Sequence, residues 1–382
     1  MNSNLQAVSA KQLITGDTIV EQPLIFIEDG RVSRVSSLAN EEVPEGALHL
    51  PDSTLSAGFL DVHVHGAGGR DVMEGSPEAV HTVARVLAMH GTSRFLATTV
   101  TASVEHTLRA LEGIAKVIAG APDEDAAKVV GIHLEGPFLS HAKRGVHPPD
   151  RLQPPSIELF QRFQQAAGGN IRLMTIAPEL PNAFDLIALA TAAGVRVSLG
   201  HSDAVATEAR AGIAAGAVSA THTFNAMRGL TQREPGMLGV VLDAGELYAE
   251  LICDGVHTTP EAVRLWLKMK GTERALLVTD GMAATGMPDG EYMLGDLRAQ
   301  VKDGIAMHEG ALAGSVLTMD RAVSNVQAFT GCSLADAVRM ASRNPEALMN
   351  GATETLGAAD FNIFNASGQR TGSILRGRLL QA

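Results

Sequence analysis

Cysteine is nearly missing from this chain of 382 residues: Cys253 and Cys332 are the two it has, too few for a disulfide framework. Both stand in apolar surroundings, so the expectation is two buried free thiols in a reducing, cytoplasmic setting. Aromatic residues are also scarce, at 4%, which leaves little surface for stacking bases or sugar rings. No run approaches the ~18 apolar residues that would indicate a membrane-spanning helix. The first residues lack the basic segment and apolar core of a secretion signal. Basic residues are the minority, 30 Lys and Arg against 42 Asp and Glu. The resulting formal charge of -12 disfavours nucleic acid or an anionic membrane as the main partner. A small anionic ligand stays allowed if a few basic groups line its pocket.

Glycine, by contrast, is abundant, with 39 residues, and suits a chain with many tight turns. After the first ~55 residues, apolar β-rich runs alternate with alanine-rich helical stretches, the pattern of repeated βα units around a parallel sheet. The strands read as Leu55 to His65, Arg94 to Thr101, Val129 to Glu135, Arg172 to Pro178, Arg196 to His201, Val218 to His222, Tyr248 to Cys253 and Ala275 to Asp280. Between them lie helical patterns such as Pro77 to His90, Val104 to Ala119, Ser156 to Ala167, Ala183 to Ala193, Val205 to Ala215 and Pro260 to Lys270. Eight such units close an α/β fold of the TIM-like (β/α)8 barrel type. The two ends differ: residues 1–54 and 356–382 carry short alternating runs, and neither holds enough apolar residues for its own core. The expectation is a small β-sandwich domain formed jointly by these segments, with the barrel of residues 55–355 inserted between them.

In such barrels ionisable residues at the C-terminal ends of strands read as catalytic. His63 and His65 close the first strand, and in an extended chain residues i and i+2 share a face, so both imidazoles can grip one cation. Taken alone, an HxH pair is equally well two solvent-exposed loop histidines. Glu135 closes the third strand, His201 the fifth, His222 the sixth and Asp280 the eighth. Each follows an apolar run that should be buried, where stranding an unpartnered charge costs ~3–5 kcal/mol. A metal ion supplies the missing positive charge for both carboxylates and suits the lone pairs of neutral histidines. Ligands of this kind without thiolates favour zinc, with manganese, cobalt or ferrous iron as alternatives. His133 shares a face with Glu135 but reads as a core histidine or one behind the ligands. His49, His81, His90, His106, His141 and His308 lie away from the strand ends.

The motifs Ala57-Gly58-Phe59-Leu60-Asp61, His133-Leu134-Glu135-Gly136-Pro137-Phe138, Lys143-Arg144-Gly145-Val146-His147, Gly200-His201-Ser202-Asp203-Ala204, Thr221-His222-Thr223-Phe224-Asn225-Ala226-Met227, Arg233-Glu234-Pro235-Gly236, Asp254-Gly255-Val256-His257 and Val278-Thr279-Asp280-Gly281 span nearly the whole chain. Through them it resembles the amidohydrolase superfamily and, within it, the N-acetylglucosamine-6-phosphate deacetylase family. That resemblance implies hydrolysis of an acetamide by water activated at a divalent metal. Glu135, His201 and His222 would be metal ligands, and Asp280 the catalytic base and acid. Asn225, Ala226, Val146, His147, Ala311, Leu312 and Ala313 would border the amino sugar, with Arg233 and His257 near its phosphate. His63 and His65 make a second ion bridged by Glu135 possible in principle, so one or two ions per chain stay open. The resemblance also implies a homodimer whose neighbour helps complete the phosphate site.

Three alternatives stand beside this reading. A cyclic-amide hydrolase or deaminase is weakened because the third strand ends in Glu135 without the lysine that such hydrolases use to bridge two metals. A non-catalytic metal-binding barrel would be expected to have lost Asp280 or a ligand. Within the favoured family, N-acetylgalactosamine 6-phosphate stays open as the substrate, because the epimers differ by one hydroxyl orientation that these motifs do not report.

Overall fold

The computed structural model describes residues 4–16, 18–350 and 357–381. Its centre is one eight-stranded sheet in chain order: Phe59–Val64, Thr92–Thr99, Lys128–Glu135, Ile171–Ile176, Arg196–Leu199, Ser219–Ala220, Tyr248–Ile252 and Ala275–Val278. Every neighbouring pair is parallel. Closure comes just past the strand ends, where the Asp280 N–H donates to His63 O (2.8 Å) and the His65 and Gly66 N–H groups donate to Gly281 O (2.8 and 2.9 Å). The chain thus forms the expected barrel. Helices cover its outside, and several start where the sequence supplies a cap: the hydroxyls of Ser76, Ser103 and Ser156 accept from the N–H groups of Ala79, His106 and Leu159. Among the described residues no helix is long and apolar enough to cross a membrane.

The two ends of the chain share a second sheet, in which Phe361–Phe364 pairs antiparallel with Leu48–Ala57 and Ala7–Ile14 lies on the other side of that strand. The sheet curls back until Arg31, at one edge, bridges to Ala358 just before Phe361–Phe364. Inside sit Val8, Leu13, Ile25, Leu55, Phe361 and Ile374, a core to which both ends contribute. The anticipated boundary at 355/356 lies outside the described residues.

Three features of the chain path, and the burial of one cysteine, depart from the sequence reading. The strand expected over Leu55 to His65 is divided between the two sheets at Gly58, whose N–H donates to Asp360 O (2.9 Å). A Cβ there would sit 2.4 Å from Ser93 Oγ, so the crossing from one sheet to the other needs glycine. A helix, Gly236–Asp243, follows the sixth strand unannounced. After the eighth strand the chain inserts a four-stranded antiparallel sheet, Gly290–Leu294, Leu297–Lys302, Ile305–His308 and Ala311–Leu312. Its tip is pinned to the barrel: the Gly295 N–H donates to Asp71 Oδ2 (2.8 Å), and Asp296 Oδ1 meets His106 Nδ1 at 3.0 Å. Cys253 is buried as expected, but Cys332, just beyond the helix Met319–Thr330, is half-buried; both are free.

Asp61, fully buried in the first strand, ties that strand to the last. Its carboxylate accepts from the Thr279 hydroxyl (2.5 Å) and from the His63 N–H (3.1 Å), while the Thr279 Oγ1 accepts from the Gly281 N–H (3.2 Å). Thr279→Val keeps the shape and deletes both hydroxyl bonds. The expected loss is ~1–3 kcal/mol in denaturant unfolding, and an unchanged midpoint would show that this strap does not hold the barrel closed.

Candidate metal centre

At the C-terminal mouth of the barrel, four imidazoles and two carboxylates converge, all of them buried. Glu135 is the centre. Its Oε1 lies 3.2 Å from His201 Nε2 and 3.3 Å from His222 Nε2, whereas its Oε2 lies 3.4 Å from His63 Nε2 and 3.2 Å from His65 Nε2. Asp280 Oδ1 joins the second pair, 3.4 Å from His63 Nε2 and 3.1 Å from His65 Nε2. One carboxylate therefore faces two donor sets, one with each oxygen.

Hydrogen bonds behind the rings settle which nitrogens carry protons. His65 Nδ1 donates to Thr98 O (3.0 Å) and His201 Nδ1 to Lys143 O (2.9 Å), because a carbonyl can only accept. In the neutral rings the Nε2 lone pairs then point inward, as a cation requires. The Nε2 atoms of His201 and His222 are 3.0 Å apart, a separation that calls for a shared proton or a shared cation. His63 Nε2 and Glu135 Oε1 are buried without a hydrogen-bond partner. His147 differs: its Nδ1 faces the Thr101 N–H (3.4 Å) and lies 2.7 Å from the Thr101 hydroxyl oxygen, contacts that favour the tautomer with its proton on Nε2. It lies with Glu135 and His201 in a group whose spacing could hold a metal, yet it presents a donor there rather than a lone pair.

The electrostatics favour a cation at this place. Burial opposes charge on His63 and His65, but Glu135 and Asp280 outweigh it and raise both rings, His65 to about 9. Burial likewise works against the Asp280 carboxylate, and His63 and His65 overcome it, holding its pKa at about 2. Burial works against the Glu135 carboxylate as well, yet His63, His201 and His222 drive it well below the ordinary carboxylate range. Burial and the nearby His201 push His147 down to about 3, which keeps it neutral. A field that holds protons on buried imidazoles also attracts a divalent ion, and a nitrogen and oxygen donor set without thiolate suits one.

The backbone bends sharply where these side chains are presented: His201, His222 and Asp280 all lie in the left-handed region, with φ of 46°, 27° and 51°. The loops that follow the fifth and sixth strands are tied together, the Ser202 N–H donating to Ala226 O (3.0 Å) and the Arg228 N–H to Ser202 O (2.9 Å).

Above the cluster opens a cavity of about 320 Å³, lined by His65, Glu135, His201, His222 and Asp280 at its floor. Of the residues anticipated around the sugar, Val146, His147, Asn225, Ala226, Ala311 and Leu312 line it, and so does His257. Ala313 does not; it packs into the apolar core beneath the inserted sheet. Arg233 is exposed on its loop, outside the cavity lining. His257 is held by Asp254, whose carboxylate sits 2.6 Å from its Nδ1. Burial works against the imidazolium, but Asp254 prevails and raises its pKa. Lys143 and Leu294 also line the cavity and were not singled out from the sequence, Leu294 because it belongs to the inserted sheet. His133 stays behind the site, its Nε2 2.8 Å from Thr175 Oγ1.

A barrel that gathers histidines and carboxylates at one mouth defines a metal-dependent hydrolase. Residues 54–378 match the amidohydrolase family. The N-acetylglucosamine-6-phosphate deacetylase of Lysinibacillus sphaericus is 37% identical over 325 residues, 85% of this chain and 83% of the relative. An N-acetylgalactosamine-6-phosphate deacetylase of Escherichia coli O157:H7 is 36% identical, covering 91% of this chain and 90% of the relative. Among solved structures, a mutant N-acetyl-D-glucosamine-6-phosphate deacetylase of Mycobacterium smegmatis, in complex with N-acetyl-D-glucosamine-6-phosphate, superposes with a TM-score of 0.92 at 32% identity, covering 100% of both chains. The chain belongs to the amidohydrolase family, in the branch that holds the N-acetylglucosamine-6-phosphate deacetylases.

If the cluster holds a divalent ion, the folded state gains from it. At one hundred times its Kd, a ligand specific to the native state adds ~2.7 kcal/mol. Chelation is expected to lower the Tm in scanning calorimetry, and metal added back to restore it; a Tm indifferent to both would contradict the metal assignment.

Proposed function

We propose that the chain hydrolyses the acetamide of N-acetylglucosamine 6-phosphate to acetate and glucosamine 6-phosphate. The observation that carries the reading is the double donor set around Glu135 at the floor of a sugar-sized cavity, in a chain of this family. Glu135, His201 and His222 would hold one ion, and His63 and His65, sharing Glu135, a second. Zinc is the metal that the donor chemistry favours, with manganese, cobalt or ferrous iron as alternatives. A bound divalent ion lowers the pKa of water from ~15.7 toward ~7 and polarises a carbonyl.

The residues of the chain supply the rest. Asp280, held ionised, takes the proton of the attacking water and delivers it to the departing sugar nitrogen, which would otherwise leave as an amide anion. The His147 Nε2–H, neutral and facing the cavity, donates to the amide oxygen as charge develops there. Val146, Asn225, Ala226, Ala311 and Leu312 bound the sugar, and Ala313 backs that wall. His257, kept cationic by Asp254, attracts the phosphate. Arg233 is exposed and does not line this chain's cavity, so in the homodimer we propose it serves the neighbour's phosphate site, where guanidinium can bind bidentately. The barrel of residues 55–355 would be the catalytic unit, with 1–54 and 356–382 as the small domain. A cytoplasmic setting fits two free thiols and a phosphorylated substrate.

The decisive assay is acetate release from N-acetylglucosamine 6-phosphate by metal-loaded protein, beside the unphosphorylated sugar and the galacto epimer. Turnover is expected for the phosphorylated gluco sugar; none on any of the three would end the deacetylase reading, and preference for the epimer would move it to the galacto substrate. Asp280→Asn is expected to lower kcat by ~10²–10⁴-fold while metal analysis still finds an ion at Glu135, His201 and His222.

The His257–Asp254 pair sets a pH dependence as well. Because the imidazolium is stabilised, phosphate attraction persists above the ordinary histidine range and fades as pH rises through the raised pKa. KM should therefore climb on the alkaline side, and His257→Gln should give a high KM that is flat over the same range. A KM profile unaltered by that substitution would remove His257 from the phosphate site.

A further inference from the structure

Inside the barrel, within the seventh strand Tyr248–Ile252, stands a carboxylate that the chemistry above does not use. Glu250 has no exposed surface. Its Oε2 lies 3.1 Å from His63 Nδ1 and accepts from the His222 N–H at 3.3 Å, while its Oε1 has no partner. We propose that Glu250 is a positioning residue that orients His63 and makes the His63, His65 and Asp280 side of the centre able to bind a second ion. The inference rests on the metal reading given under Proposed function.

Three observations support it. First, a fully buried carboxylate is costly in an apolar strand, where leucine or glutamine would fill the same volume at less expense. Its placement beside His63 Nδ1 gives that cost a use, because a carboxylate that accepts from Nδ1 fixes the ring and its tautomer, leaving the Nε2 lone pair directed at Glu135 and Asp280. Second, His63 alone receives this treatment. The Nδ1 atoms of His65 and His201 donate to neutral backbone carbonyls, and His222 Nδ1 has no partner. Partnership with a carboxylate raises the basicity of a ligating histidine, so His63 is the strongest nitrogen donor of the four. Third, the charges balance differently with Glu250 present. With Glu135 and Asp280 it brings the buried carboxylates that face the His63 ring to three, a negative charge that one divalent ion does not neutralise.

The test uses metal-free full-length protein titrated with cobalt(II), with a competing chelator to reach tight affinities. Wild type is expected to bind two equivalents. Glu250→Ala should weaken one of them ~10–100-fold and leave the other within about threefold, and Glu250→Gln, which keeps shape and an acceptor but not charge, should fall between. In a His63→Ala background, Glu250→Gln should cause no further loss, since its partner is already gone. The Tm of metal-free Glu250→Gln checks that it is folded, and that isosteric variant carries the test if Glu250→Ala does not fold.

Two equivalents bound unchanged by both variants would overturn the role of Glu250 while leaving the second ion standing. Equal weakening of both equivalents, or a further loss in the His63→Ala background, would place its effect in the His222 backbone or the fold and overturn it too. A wild type that takes a single equivalent in excess metal would remove the second ion itself, and this role with it.

Discussion

The structure turns on one constraint: two carboxylates and four histidines have been brought out of water to a single point. Among the described residues, the groups within ion-pair distance of Glu135 and Asp280 are all imidazoles. Imidazoles can answer that charge in two ways, by taking up protons or by sharing a cation. The raised pKa values of His63 and His65 describe the first state, and the inward lone pairs of His65 and His201 describe the second. A barrel serves this purpose because its strands are held by main-chain ladders that do not depend on the charged groups, so the donors stay in place whichever way the charge is met.

Much of that arrangement is legible along the chain, and the reason is geometric. Parallel strands buried on both faces read as apolar runs, so a His or Glu that terminates such a run stands out. His63, His65, Glu135, His201, His222 and Asp280 were all visible in this way, and the structure brings them together. What escaped has physical reasons too. The inserted sheet over Gly290–Leu312 is built from strands of two to six residues with alternating exposure, so no apolar run announces it. Glu250 carried a signal, an acid inside the run Tyr248–Ile252, but its partner lies nearly two hundred residues away and only the fold pairs them. Ala313 rests on family resemblance alone and Arg233 chiefly on it, and neither lines this chain's cavity.

The inserted sheet also shows how a general barrel acquires a particular substrate pocket. Strand ends supply chemistry, but they are too short to wall a sugar. The insertion reaches back over the mouth and contributes Leu294, Ala311 and Leu312 to the cavity, while Asp71 and His106 anchor its tip. Asp71 lies only six residues past His65, so the segment that leaves the metal centre also fixes the wall above it. Pocket shape and donor geometry are therefore coupled through a short stretch of chain.

The strained backbone at His201, His222 and Asp280 fits the same logic. A left-handed residue with a side chain costs ~1–3 kcal/mol, and three of them in one site need compensation. Each receives it from hydrogen bonds to its own main chain: the Ser140 N–H donates to His201 O, the His222 N–H donates to the Glu250 carboxylate, the Asp280 N–H donates to His63 O, and the Ser315 N–H donates to Asp280 O. Continuing straight, the chain would carry these side chains past the mouth. Turning there returns them over the barrel axis, where Glu135 waits. The strain is the consequence of aiming donors from several separate strands at one point, and the bonds that offset it tie each donor to a neighbouring strand or loop.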